Sequence, residues 1–243
     1  MTPNIIILYT NIVKRSNPEE SPASYYEAPT RRFFETYREF KPVISHRLGV
    51  VNCGVHEGDF FNAYPADEQY FYTGTGWDVG TYQAISKTLD CDLVVCFNSF
   101  VHFWRANWLE PIAEAYSKYG AGVYGFSGSF ENSPHLRTCA ICFNPEVIRK
   151  YPHLIDSRRK SLDFESFDRN LNFSLWALEN QFPVLLVTAS EVCQIQQWRT
   201  PPNIFRRGDQ SNVLVWDRHT EIYAKASDEE KRILEQSADG PTN

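Results

Sequence analysis

The residues best suited to chemistry fall into a few short segments. Asp163-Phe-Glu165 sets two carboxylates two positions apart, with Asp168 three residues further on. In an extended segment Asp163 and Glu165 share a side; in a helix Glu165 and Asp168 share a face. A carboxylate held beside a hydroxyl can take its proton as the oxygen attacks. His135-Leu-Arg137 joins an imidazole, which can meet a sugar hydroxyl, to a guanidinium, which can clamp a diphosphate bidentately. The plainer alternative is a local ion pair and a surface histidine. Arg206 and Arg207, beside Gly208, form a second basic pair that either closes over phosphates or is simply solvated. The loop Tyr72-Thr-Gly-Thr-Gly-Trp-Asp-Val-Gly80 is Gly-rich and leads into a helix. Free N–H groups at such a helix start can hold a diphosphate. The loop lacks the Lys-Ser/Thr pair of a P-loop and the GxGxxG spacing. Asp78 has two readings: a helix cap, or a contact to a base, ribose or metal.

Other patterns carry less. Cys139-Ala-Ile-Cys142 has CxxC spacing, but there is no second CxxC and no histidine pair nearby, so structural thiols are expected. Gly125-Phe-Ser-Gly-Ser129 ends in Ser where a nucleophile elbow needs Gly. Asp90-Cys-Asp92 is an acidic pair placed before a strand, at the edge away from the expected site. His219 has no defined partner for a metal.

Apolar runs define the elements that must position these groups. Strands are expected at Asn4–Thr10, Leu48–Cys53, Leu93–Phe97, Ala121–Phe126, Thr138–Phe143 and Val184–Val187. Helical spacing marks Phe33–Phe40, Asp78–Leu89, Trp108–Tyr119, a start at Asn144-Pro145 and a long helix over Phe164–Leu178. Residues 54–77 read as a loop. Ser227-Asp-Glu-Glu230 fits a capping box for a last short helix, and residues 238–243 read as a frayed tail. Alternation of strands and helices predicts one α/β domain over residues 1–243, with a mixed, mainly parallel sheet flanked by helices. Ligands of open α/β sheets bind beyond the carboxyl ends of the strands. There the sequence places Thr10-Asn11, Asn52-Cys53 and Asn98-Ser99-Phe100.

Composition narrows the function classes. A net charge of -6 argues against a broad nucleic-acid surface. The longest apolar runs are about five residues, where a membrane helix needs about 20. No signal peptide is evident, so reduced cysteines and a cytoplasmic setting are expected.

Taken in order, several segments resemble GT-A glycosyltransferases. They are Gly76-Trp-Asp-Val-Gly80, Asp92-Leu-Val-Val-Cys-Phe-Asn-Ser99, Trp108-Leu-Glu110, Pro134-His-Leu-Arg-Thr138, Phe164-Glu-Ser166 and Phe205-Arg-Arg-Gly-Asp-Gln-Ser-Asn212, which runs on into Leu214–Thr220. The likeness is to small bacterial and large-DNA-virus members, rhamnose-transferring ones among them, and spans residues 4–223. It implies a GT-A (Rossmann-like) fold and transfer of a sugar from a UDP-, GDP- or dTDP-sugar to a glycan hydroxyl.

The resemblance further implies a donor site at Thr10, Asn11, Asp78, Asn98 and Ser99; Arg206 and Arg207 are the candidates to close over its phosphates, unless they are simply solvated. His135 and Arg137 fall on the acceptor side. The base of an inverting transfer falls on Glu165, with Asp163 next. The acidic DxD that would hold Mn²⁺ or Mg²⁺ after the Leu93–Phe97 strand is replaced by Asn98-Ser99, so dependence on a divalent metal is expected to be weak. Two other readings are a nucleotide-sugar-binding protein without turnover and a sugar nucleotidyltransferase.

Overall fold

The structure is a computed structural model and describes residues 2–13, 23–57 and 64–240. In chain order the elements are β1 (Ile5–Ile12), α1 (Glu27–Glu39), β2 (Arg47–Cys53), β3 (Glu68–Tyr72), α2 (Trp77–Ser86), β4 (Leu93–Phe97) and α3 (Glu110–Tyr119). They continue with β5 (Val123–Gly125), β6 (Gly128–Ser129), β7 (His135–Leu136), β8 (Ala140–Phe143), α4 (Pro145–Lys150) and α5 (Arg158–Leu162). One π-helical turn (Asp163–Phe167) leads to α6 (Phe173–Glu179), β9 (Val184–Val187), β10 (Val192–Gln194), α7 (Arg218–Lys225) and α8 (Asp228–Asp239).

Eight strands form one sheet in the order β10-β9-β5-β8-β4-β1-β2-β3. Pairs β1/β2, β1/β4, β2/β3 and β5/β9 are parallel. β8 runs antiparallel to both β4 and β5, and β10 antiparallel to β9. The sheet is therefore mixed and mainly parallel, as the alternation of elements predicts. Every residue of β1 and β4 is buried. Their side chains alternate between faces: Ile6, Leu8, Val94 and Cys96 join Tyr82, Val147 and Phe173 on one side. Ile5, Ile7, Val95 and Phe97 join Phe33, Trp108 and Ile112 on the other. A strand covered on both faces needs an unbroken apolar run, and each large side chain so buried contributes about 1.5–3 kcal/mol.

Three expectations need correction. The segment read as a loop over 54–77 contains β3, an edge strand paired with β2. All five of its residues are half-buried, so Glu-Gln-Tyr-Phe-Tyr shows no clean apolar face to read. The long helix over Phe164–Leu178 is broken. Asp168 Oδ1 accepts from Asn170 N (2.9 Å), and Asn172 caps α6 by accepting from Leu175 N (3.0 Å). Short polar side chains that bond their own backbone compete with the helix. Finally, Ala238 and Asp239 belong to α8 rather than to a tail: Phe130 N donates to Ala238 O (2.8 Å). Residues 241–243 lie outside the described residues.

Candidate functional site

Strand order reverses at β1, whose neighbours β2 and β4 lie on opposite sides and both run parallel to it. At such a switch point the flanking connections leave to opposite faces, and a crevice opens beyond the carboxyl ends. The polar groups there are organised. Asn11 Nδ2 donates to Asn52 Oδ1 (2.9 Å), and Asn52 Nδ2 donates to Gln69 Oε1 (2.8 Å), an amide ladder across β1, β2 and β3. Ser99 is buried, and its hydroxyl donates to Thr10 O (2.9 Å), tying the ends of β1 and β4 together. Asn98 Oδ1 accepts from Phe100 N (3.0 Å), closing a local turn.

The start of α2 faces this edge. Its N-cap position is Gly76, and Asp78 sits in the first turn, so Asp78 is not the cap. Gly76 is fixed from two sides: Ser161 Oγ donates to its carbonyl (2.6 Å), and its own N–H donates to the Tyr72 hydroxyl (3.3 Å). A Cβ at Gly76 would lie 2.1 Å from Ile155 O, so only glycine fits. Burial pushes the Tyr82 phenol well above its ordinary range, and the Asp78 carboxyl and Cys139 thiol push it the same way. The Thr10 hydroxyl beside it opposes that rise. Tyr82 thus marks the point where α2, the end of β1 and the start of β8 meet. Among the described residues neither the Thr10 nor the Tyr82 hydroxyl makes a hydrogen bond of ordinary length.

The second wall is the β6–β7 hairpin with the π-helical turn. Glu165 Oε1 lies 3.3 Å from Arg137 Nε, and Thr138 Oγ1 donates to Glu165 Oε2 (3.0 Å). The Glu165 side chain is 19% exposed and that of Arg137 10%. Burial opposes the Glu165 charge; Arg137 first, then His135 and the Thr138 bonds, outweigh it and hold the carboxyl below its ordinary range. His135 is buried, and its Nδ1 donates to Ser133 O (2.7 Å). Its Nε2 therefore faces Glu165 Oε1 at 3.6 Å without a proton in the neutral ring. Burial, and then Arg137, lower the His135 pKa against the pull of Glu165.

Asp217 connects this wall to β4. It caps α7 by accepting from Thr220 N (2.8 Å), and its other oxygen accepts from the Cys139 thiol (2.7 Å). The Cys139 carbonyl in turn accepts from Asn98 N (3.0 Å). Arg206, at φ +50, is brought beside Glu131 (3.3 Å) and His219 (3.5 Å).

Through Tyr82 and Cys139 the structure links Thr10, Asp78 and Asn98 to the group of Glu165, Arg137, His135 and Arg206. The other candidates stand apart or are already engaged. Asp163 turns the other way and pairs with Arg159 (2.9 Å). Arg207 pairs with Asp239 (2.7 Å), away from the crevice. Ser99 and Asn11 are committed to structural bonds. Glu131 and Asp217 were not assigned a role from the sequence, and Thr138 entered only as the end of the Pro134–Thr138 segment. Only Asp217 carried a local signal, an Asp three residues before Thr220 at a helix start. Cys139 and Cys142 form no disulfide.

Among the described residues, those that follow β4 offer a divalent metal no charged oxygen. The oxygens after β4 are the neutral Asn98 amide and the Ser99 hydroxyl, both engaged. Among the described residues no group of three His, Cys, Asp or Glu side chains is placed to hold an ion. Among them, too, no helix is long and apolar enough to cross a membrane.

No protein-family model and no curated protein matches the sequence. Among solved structures the chain is similar to a mannosyltransferase from Pyrobaculum calidifontis in complex with GDP-Man and Mn²⁺. The identity is 9% and the TM-score 0.44, over 66% of this chain and 51% of that one, so the match spans about half the length of that protein.

Proposed function

We propose that the protein is a GT-A-type glycosyltransferase that moves a sugar from a nucleoside-diphosphate donor to a glycan hydroxyl. The observation that carries this reading is Glu165: an ionised carboxylate, partly open to solvent, fixed by Arg137 and Thr138 at the polar edge of a topological switch point. The acceptor oxygen attacks the anomeric carbon while its proton passes to Glu165. The bond from that carbon to the diphosphate breaks, and the diphosphate leaves with the electron pair. One displacement of this kind inverts the anomeric configuration. Asp78 and Asn98 line the donor side; Thr10 is fully buried. Asp163, already paired with Arg159, stands second to Glu165 as base.

A nucleotide-sugar-binding protein without turnover is the competing reading, favoured by the neutral Asn98-Ser99 pair. Thermal-shift screening with UDP-, GDP- and dTDP-sugars tests both. A donor at 100 times its Kd stabilises by about 2.7 kcal/mol. Release of nucleoside diphosphate on adding glycan acceptors then supports transfer, and binding without release supports the alternative. No shift with any donor removes both.

A further inference from the structure

Arg137 and Arg206 come from separate parts of the chain, the end of the β6–β7 hairpin and the loop before α7. Both are largely buried, with side chains 10% and 8% exposed. Their guanidinium carbons lie 5.1 and 4.9 Å from the centre of the same Phe205 ring. Both approach one atom, Glu131 Oε2, at 3.3 Å from Arg206 Nη1 and 3.9 Å from Arg137 Nη1, while Arg137 Nε also lies 3.3 Å from Glu165 Oε1. His219 Nδ1 lies 3.5 Å from Arg206 Nη2. Two buried cations in proximity are unfavourable unless an anion sits between them. Burial, and then Arg137, lower the Arg206 pKa, as that proximity requires.

The loop is held to produce this arrangement. Arg206 adopts φ +50, in the left-handed region that most side chains avoid, and Gln210 Nε2 pins the turn by donating to Arg207 O (2.8 Å). The anion itself is not held in the same way. Glu131 lies on the hairpin turn, next to Asn132 at φ +62, and its side chain is 38% exposed. Among the described residues its carboxylate makes ion pairs with these two arginines only. A fixed pair of forked donors facing a detachable carboxylate is the arrangement of an anion site filled from within.

We infer that Arg137 and Arg206 form a diphosphate-binding site, and that the Glu131 carboxylate is an internal anion which the incoming diphosphate displaces. The inference deepens the glycosyltransferase reading and rests on it for the identity of the ligand as a nucleoside diphosphate. The diphosphate chemistry itself can be tested without turnover.

The test is calorimetric titration of the wild-type chain, Glu131→Gln and Arg206→Gln with inorganic pyrophosphate, and separately with UDP, GDP and dTDP. Glu131→Gln removes the competing charge and keeps the shape. It should tighten pyrophosphate and at least one nucleotide by about fivefold, the worth of a half-exposed ion pair. A gain of affinity cannot come from partial unfolding. Arg206→Gln should weaken both by at least about tenfold, and the weakening should shrink in high salt. Nucleotide binding that none of the variants alters would overturn the inference and leave the glycosyltransferase reading standing. Pyrophosphate binding with these responses, but no nucleotide binding, would keep the site and remove that reading. Weaker binding in Glu131→Gln, or no binding of any probe to any variant, would overturn the site.

Discussion

Replacing Glu165 by Gln removes one charge and almost no volume, and the structure fixes what should follow. At 3.3 Å the Arg137–Glu165 attraction is about 5 kcal/mol at an effective dielectric of 20. Desolvation of both groups offsets much of that. Removing one partner of a buried pair nevertheless costs about 3–5 kcal/mol, because the other charge is stranded. Two features reduce the cost here. Glu165 is about a fifth exposed, so water can reach the vacated position, and Arg137 keeps Glu131 at 3.9 Å. The Thr138 hydroxyl can still donate to the new amide oxygen. The expected loss is therefore about 2 kcal/mol, a fall in Tm of about 4–8 °C for a chain of this size. Turnover should fall much further, by at least about a hundredfold, since a positioned base contributes about 10²–10⁴. Nucleoside-diphosphate affinity should be unaffected or tighter. Calorimetric unfolding and nucleotide release, measured on the same preparation, separate the two effects. Near-normal turnover would refute the base assignment. An unchanged Tm would refute the claim that Glu165 is the counter-ion Arg137 depends on.

Other outcomes follow from single contacts. Asn172 is fully buried and donates to Ser133 Oγ (2.8 Å) and Pro134 O (3.1 Å) while capping α6. Asn172→Ala should cost about 2–3 kcal/mol, read by urea unfolding, and a loss under 1 kcal/mol would mean the hairpin is held elsewhere. Gly76→Ala must push Cβ against Ile155 O and should destabilise by about 1–3 kcal/mol; a variant as stable as wild type would show that α2 can shift freely. Stability should also fall with acid well before the carboxylates titrate. His102 is 3% exposed and sits 2.7 Å from Arg32, and burial, then Arg32, bring its pKa down to about 4. Its contribution is complete above about pH 6.5 and is lost as pH falls to 4, because unfolding takes up a proton throughout that window. His102→Gln should flatten the dependence by up to about 1.4 kcal/mol per pH unit in urea titrations between pH 7 and 5, and an identical slope would exclude His102 as its source.

Residue order alone determined the sheet's class and most of its strands. Ile5–Leu8 and Leu93–Phe97 are apolar without a break because both faces of those strands are covered, and that pattern survives any detail of packing. The Asn144-Pro145 start and the Ser227–Glu230 capping box were equally legible, since capping is a local hydrogen bond between near neighbours. The position of Glu165 was legible as a carboxylate near a helix start, but its partner was not. Arg137 lies 28 residues earlier, and only the π-helical turn decides that Glu165 faces it while Asp163 faces Arg159. In the same way Arg206 and Arg207 are adjacent and identical in type, yet the left-handed backbone at Arg206 sends one toward Glu131 and leaves the other with Asp239. Neighbours in sequence can point apart, and groups far apart can meet, because side-chain direction is set by backbone torsions and by what packs on either side. Local order therefore fixes which element a residue occupies; the tertiary structure fixes which charges oppose one another, and with them the chemistry of the site.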